Sequence, residues 1–187
     1  MTESVIRALK GIDPVVYVDG TEVYRRFMEE YLVHRKGLFI VAPSGSGKTY
    51  FVNRQTAMHW IDGDDLWIAA GAHPDRDWWN DDIEVVLAID QRSDIITEQA
   101  RRLGLWIIGA SNYWLLPDAI VLPDWDTHQR YIVERERGYY DGGARQEDLS
   151  KVLDHRRWLT KLSNDEGIPI FTSVQEAASS LESEIGT

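Results

Sequence analysis

Compact apolar runs alternate along the chain with longer segments of mixed polarity. Leu38-Phe39-Ile40-Val41-Ala42 is the clearest run and Met58-His59-Trp60-Ile61-Asp62 a weaker one. Leu105-Trp106-Ile107-Ile108-Gly109-Ala110, Ala119-Ile120-Val121-Leu122 and Ile168-Pro169-Ile170-Phe171-Thr172 complete the set. Apolar runs without polar alternation mark strands buried on both faces, as parallel strands are. Pro169 cannot donate to a ladder, so the last strand belongs near a sheet edge. The intervening segments carry helical period. Tyr24, Met28, Tyr31 and Leu32 share one face, and Val86, Ile89, Ile96, Ala100 and Leu103 mark a long helix closing on Arg101-Arg102 before Gly104. Leu149, Val152 and Leu153 open another helix, and Ser173 with Glu176 outlines a capping box before a last one.

Alternating strand and helix predicts an α/β fold of three layers: a mostly parallel five-stranded sheet with helices on both faces. No repeat or linker divides residues 1–187, which read as a single domain. Within it, residues 37–185 form the core, preceded by an accessory segment, 1–36. In that segment Val15-Val16-Tyr17-Val18, before Asp19-Gly20, suggests an extra strand.

Composition narrows the function. Lys and Arg total 20 against 31 Asp and Glu, a formal charge of −11. That balance argues against duplex binding by bulk phosphate neutralisation and leaves DNA only a local pocket. The absence of cysteine removes disulfides, thiolate zinc sites and thiol nucleophiles. The opening MTESVIRALKGID lacks a signal-peptide core and no later run reaches a membrane span, so the expectation is a soluble, cytoplasmic protein without a membrane partner.

The strongest chemical signal is Ala42-Pro43-Ser44-Gly45-Ser46-Gly47-Lys48-Thr49, between the first strand and a helix. This is the strand–loop–helix setting of a Walker A motif. Gly45 and Gly47 can turn successive N–H groups into one anion-sized hollow, to which the following helix adds its positive end. Lys48 would reach the β- and γ-phosphates and Thr49 would offer its hydroxyl to Mg2+. The plainer alternative is a Gly/Ser turn with a solvated lysine, but it does not account for loop, lysine, hydroxyl and strand coinciding.

With Asp62-Gly63-Asp64-Asp65 ending the second strand and an Arg-rich segment before the terminal strand and helix, the chain resembles the nucleoside monophosphate kinase-like group of P-loop kinases. The DGD feature is similar to that of gluconate kinase and adenylylsulfate kinase. The resemblance covers residues 37–185 and implies a strand order of 2-3-1-4-5, ATP at the loop, an acceptor beyond the second strand and a mobile lid. Residue by residue it implies Ser44, Gly45, Ser46, Gly47, Lys48 and Thr49 around the phosphates. Lid arginines would stand around the moving phosphoryl, Arg130 first, then Arg137 and Arg145.

The residues themselves carry the reading further. In an open α/β sheet the ligand sits outside the carboxyl ends of the strands, so Asp62, Asp64 and Asp65 would face the loop. Asp62 or Asp64 would orient Mg2+ or take the acceptor's proton, with Asp65 beside them, although aspartates are also common helix caps. Arg135 reads as a solvated residue beside Glu134 and Glu136. Arg156 falls on an inward stripe and would meet either a phosphate or a carboxylate. Ser111 and Asn112 follow the third strand as acceptor contacts or as a turn, with no acid at the place of a Walker B carboxylate. Arg76, Trp78 and Trp79, in the insertion His73–Asn80, could grip a base. His59 and His128 read as structural or solvated.

The expected activity is ATP-dependent transfer of the γ-phosphate to a nucleotide-type acceptor: a nucleoside, a nucleoside monophosphate or a hydroxymethyl-pyrimidine in DNA. A hydrolytic NTPase or nucleotide switch is the alternative, and a sugar-acid kinase the third reading.

Overall fold

The structure is a computed structural model that describes residues 9–73, 78–138 and 143–185. It contains a five-stranded sheet, all parallel, with helices on both faces. In chain order the elements are α1 Val23–Glu30, β1 Leu38–Val41, α2 Lys48–Val52, β2 Trp60–Asp62, α3 Gly63–Ala70, α4 Ile83–Arg102 and β3 Trp106–Gly109. There follow β4 Ala119–Val121, α5 Trp125–Arg137, α6 Leu149–Glu166, β5 Ile170–Phe171 and α7 Val174–Ile185. The strand order is β2-β3-β1-β4-β5. Short 3-10 turns lie at Trp78–Asn80 and Gln146–Asp148. No described helix is long and apolar enough to cross a membrane.

The apolar runs are uninterrupted because each strand feeds two cores. Phe39, Val41, Ile61, Ile107 and Ile120 face a core shared with Phe27 of α1, Leu66 of α3, Ile96 of α4 and Leu159 of α6. Their neighbours Leu38, Ile40, Trp60, Trp106 and Ile108 face Val174, Ala177 and Leu181 of α7. Alternation thus selects the face, not water or core. Trp60 and Trp106 are buried, and their indoles donate to Glu182 and to the Lys36 carbonyl at 2.8 and 2.9 Å. His59 and His34 stack in series with Trp106. β5, the strand with Pro169 before it, lies at the edge and is the least buried.

Two expectations for residues 1–36 are corrected. Val15–Val18 does not form a strand: Val16 makes one isolated bridge to Glu22, and Tyr17 N–H donates to the Thr21 carbonyl across the turn at Gly20. A hairpin this short offers no ladder for a strand to extend, and Val18 stands fully in solvent. Helix α1 stops before Tyr31 and Leu32 because Leu32 N–H donates to the Met58 carbonyl and His34 N–H to the Gly104 carbonyl. These bonds draw the chain into an extended path toward β1. The capping box before α7 is also displaced by a residue. Ser173 Oγ accepts from Glu176 N–H, while the Glu176 carboxylate accepts from the Thr172 amide and hydroxyl.

Candidate functional site

The loop after β1 takes the shape its glycines permit. Gly45 and Gly47 have φ of 85° and 94°, the left-handed region. A side chain on Gly45 would come within 2.5 Å of Ile132 Cγ1, whereas one on Gly47 would enter open space. Ser46 is buried and ties the bend by donating from both its amide and its hydroxyl to the Pro43 carbonyl, at 3.1 and 2.5 Å. The helix that follows has only five residues, so loop amides and Lys48 supply most of the local positive field, not a helix dipole. Lys48 is 8% exposed. Burial holds its ammonium below the usual lysine range, against the pull of Asp64 and then Asp62.

Those carboxylates reach the loop because Gly63 lets the end of β2 touch the end of β3. A Cβ there would lie 2.6 Å from Gly109 Cα and 2.9 Å from the Ile108 carbonyl oxygen. Asp62 caps α3, accepting from Asp64 N–H at 3.2 Å, and its other oxygen accepts from Thr49 Oγ1 at 2.9 Å. Desolvation in the crevice raises the Asp64 carboxyl, with Lys48 opposing. Asp65 turns the other way. Its carboxyl, also raised by desolvation, is drawn down by Arg26 of α1, and its carbonyl accepts from Tyr17 Oη at 3.5 Å. The accessory segment therefore seats Asp65, leaving Asp62 and Asp64 to the loop.

On the other side of the loop the arginines stand differently from expectation. Arg130 is 61% exposed, beside Glu134 at 4.0 Å and Tyr131, and Arg137 is exposed in the last turn of α5. Arg135 instead meets the loop: its Nη2 donates to Ser44 Oγ at 3.5 Å and to the Ala144 carbonyl, while Ala144 N–H donates to Ser44 Oγ at 2.8 Å. His128, Ile132 and Arg135 share the inward face of α5, at i, i+4 and i+7. Arg145, exposed, lies at the start of the Gln146–Asp148 turn.

Arg156 is half-buried on α6. It donates to His128 Nδ1 at 2.9 Å and to the Pro123 carbonyl at 2.7 Å, over the Trp125 ring. With Nδ1 accepting, His128 Nε2 donates to the Ser44 carbonyl at 2.8 Å. His128 is fully buried, and burial pushes its pKa down to about 4. A neutral imidazole thus pins the loop from beneath.

One acid escaped the sequence reading. Asp90 comes from α4 to the carboxyl end of β3, where Ser111 Oγ donates to it at 3.3 Å. Burial raises Asp90 to about 6, with that hydrogen bond opposing and Asp94 adding to the rise. Asp94, one turn on, is occupied by the amides of Tyr113, Trp114 and Leu115. Between the unfolded value of 3.8 and about 6, the unfolded chain ionises Asp90 while the folded one keeps it protonated. Stability therefore falls as pH rises through that window. Asp90→Asn is expected to raise the melting temperature by a few degrees at pH 7 and not at about pH 4, read by calorimetry at both. An equal change at both pH values would show that the carboxylate is not desolvated.

On the acceptor side, Trp79 and Trp67 are half-buried against the core. Lys151 of α6 reaches across to Asn80 Oδ1 at 2.7 Å. Asn112 is buried and donates to the Leu115 carbonyl, a turn contact. Arg76 and the Trp78 side chain, like residues 139–142 after α5, lie outside the described residues. Among the described residues no group of three or more His, Asp or Glu could hold a metal. Thr49 Oγ1 and Asp62 Oδ2 do converge, however. Two oxygens suit Mg2+, which keeps several waters and binds through one or two carboxylates plus substrate phosphates.

No protein-family model matches the chain, and neither the curated proteins nor the solved structures contain a match.

Proposed function

We propose that this protein is an ATP-dependent phosphotransferase acting on a hydroxyl of a nucleotide-type acceptor. The observation that carries the reading is the 2.9 Å contact between Thr49 and Asp62. It joins a Walker A loop to the carboxylates of the second strand across the crevice where an α/β sheet binds ligands. The loop amides and Lys48 would hold the triphosphate, and Thr49 and Asp62 would hold Mg2+, which when bound neutralises charge on the β- and γ-oxygens.

Asp64, exposed in the first turn of α3 with the Lys48 charge opposing the rise of its pKa, would accept the acceptor's proton as the acceptor oxygen attacks the γ-phosphorus and the bond to the β-phosphate oxygen breaks. Arg135, rather than Arg130, would stand over the transferred group. Asp90 and Ser111 flank the acceptor side. The half-buried Trp79 supports a flat acceptor, and a base in DNA would have to be flipped out of its stack to reach this crevice.

Asp90 also favours a second reading, hydrolysis, because its carboxylate lies at the end of β3, where a residue could orient water. Labelled γ-phosphate offered with nucleosides, nucleotides, sugar acids and hydroxymethylated DNA separates the two. Label on an acceptor supports transfer, and label only in inorganic phosphate supports hydrolysis. Asp62→Asn is expected to lower turnover about a hundredfold or more with ATP affinity changed far less. Unchanged turnover would remove Asp62 from the reaction.

A further inference from the structure

Helix α6 presents an inward stripe on which Val152 and Leu159 are buried. His155 stands between them, its ring stacked on Trp158 with centroids 5.9 Å apart and planes at 23°. Its Nε2 is buried and has no hydrogen-bond partner among the described residues. Native proteins leave few such atoms, because an unpaired buried donor or acceptor keeps its full desolvation cost. His128, the buried histidine of this region, uses both ring nitrogens.

The surroundings of His155 indicate what its free nitrogen is for. Burial, the Lys48 ammonium and His128 together push its pKa down to about 4. The ring is therefore neutral at pH 7, with one N–H to donate. Val152, one turn before it, packs with Ile132 and Ala144 beside the loop, and Arg156, next to it in the chain, donates to His128, whose Nε2 holds the Ser44 carbonyl. A cation would be repelled from such a place. A phosphate oxygen, an acceptor drawn by the same positive charges, fits it.

We propose that His155 Nε2 is a phosphate ligand of the crevice, donating a hydrogen bond to an oxygen of the anion held by Lys48 and the 42–49 loop. This rests on reading that loop as a phosphate loop. It adds a contact from α6, a helix that no loop motif specifies, and so makes α6 part of the anion site rather than only its support.

Inorganic tripolyphosphate is the probe, titrated calorimetrically into wild type, His155→Leu, His155→Gln and Lys48→Met. The Leu variant is expected to bind about tenfold more weakly while the free protein melts no lower than wild type, since an unpaired polar atom has been removed. The Gln variant, which returns an N–H to the same region, should recover most of the affinity. Wild-type affinity in the Leu variant alongside loss in Lys48→Met would overturn the role of His155 and leave the loop reading standing. No binding by wild type, or equal binding by Lys48→Met, would overturn the loop reading itself. If the Leu variant does not fold, the 15N resonance of His155 Nε2 in wild type decides: a shift on adding tripolyphosphate supports the contact, and an unmoved resonance excludes it.

Discussion

Lys48→Met is expected to remove labelled phosphoryl transfer by about three orders of magnitude or more while the chain stays folded. Lys48 is 8% exposed, so an unbranched apolar side chain of similar length can fill its channel. Its ammonium is desolvated and its pKa sits below the ordinary lysine value, with Asp64 and Asp62 only partly offsetting the burial. The unfolded chain therefore binds that proton more tightly than the folded one, and wild-type stability rises with pH between the two pKa values. The variant should melt at or above wild type at pH 7, with the advantage shrinking as pH approaches the unfolded lysine value of 10.5. Transfer at the wild-type rate would end the phosphate-loop reading. Loss of transfer together with unfolding would show Lys48 to be a structural residue.

Arg135→Ala is expected to lower turnover by about two to three orders of magnitude, and Arg130→Ala by no more than about twofold, in the same transfer assay. The contrast follows from the phase of α5. Arg135 lies against Ser44 of the loop, while Arg130 points to solvent beside Glu134. Ser44 keeps the Ala144 amide and the His128 imidazole when Arg135 is truncated, so the loop should stay seated. Its loss would then act on the charge of the transferred group and appear in turnover more than in ATP affinity. The reverse ranking of the two variants would return the lid role to Arg130.

The seat of Arg135 against Ser44 shows where sequence pattern stops being informative. A helix phase is read from its apolar stripe, and α5 has little: His128 and Ile132 are its only buried residues. The i, i+4, i+7 relation of His128, Ile132 and Arg135 is visible in the sequence, but Arg130 and Arg137 form an equally regular pair, and without the β1 loop packed on Ile132 nothing ranks one face above the other. Asp90 was hidden for a related reason. It is one polar residue on the long helix α4, and only the pairing of that helix with the end of β3 sets it beside Ser111. His155 is one polar position among many on α6, and only the packing of that helix face beside Ile132 and Ala144 sets its Nε2 out of reach of water.

The sequence alone determined the five strands of the sheet, because segments buried on both faces must be continuously apolar, and it placed a turn between β1 and α2, because Gly45 and Gly47 interrupt both strand and helix. It placed Asp62 at a strand end for the same local reason. Which arginine faces the loop, which histidines are neutral, where Asp65 turns and which acid stands by Ser111 were decided only by the tertiary structure. Those properties depend on what lies across a contact, and contacts between α4 and β3, or between α5 and the loop after β1, join residues too far apart in the chain for local periodicity to report.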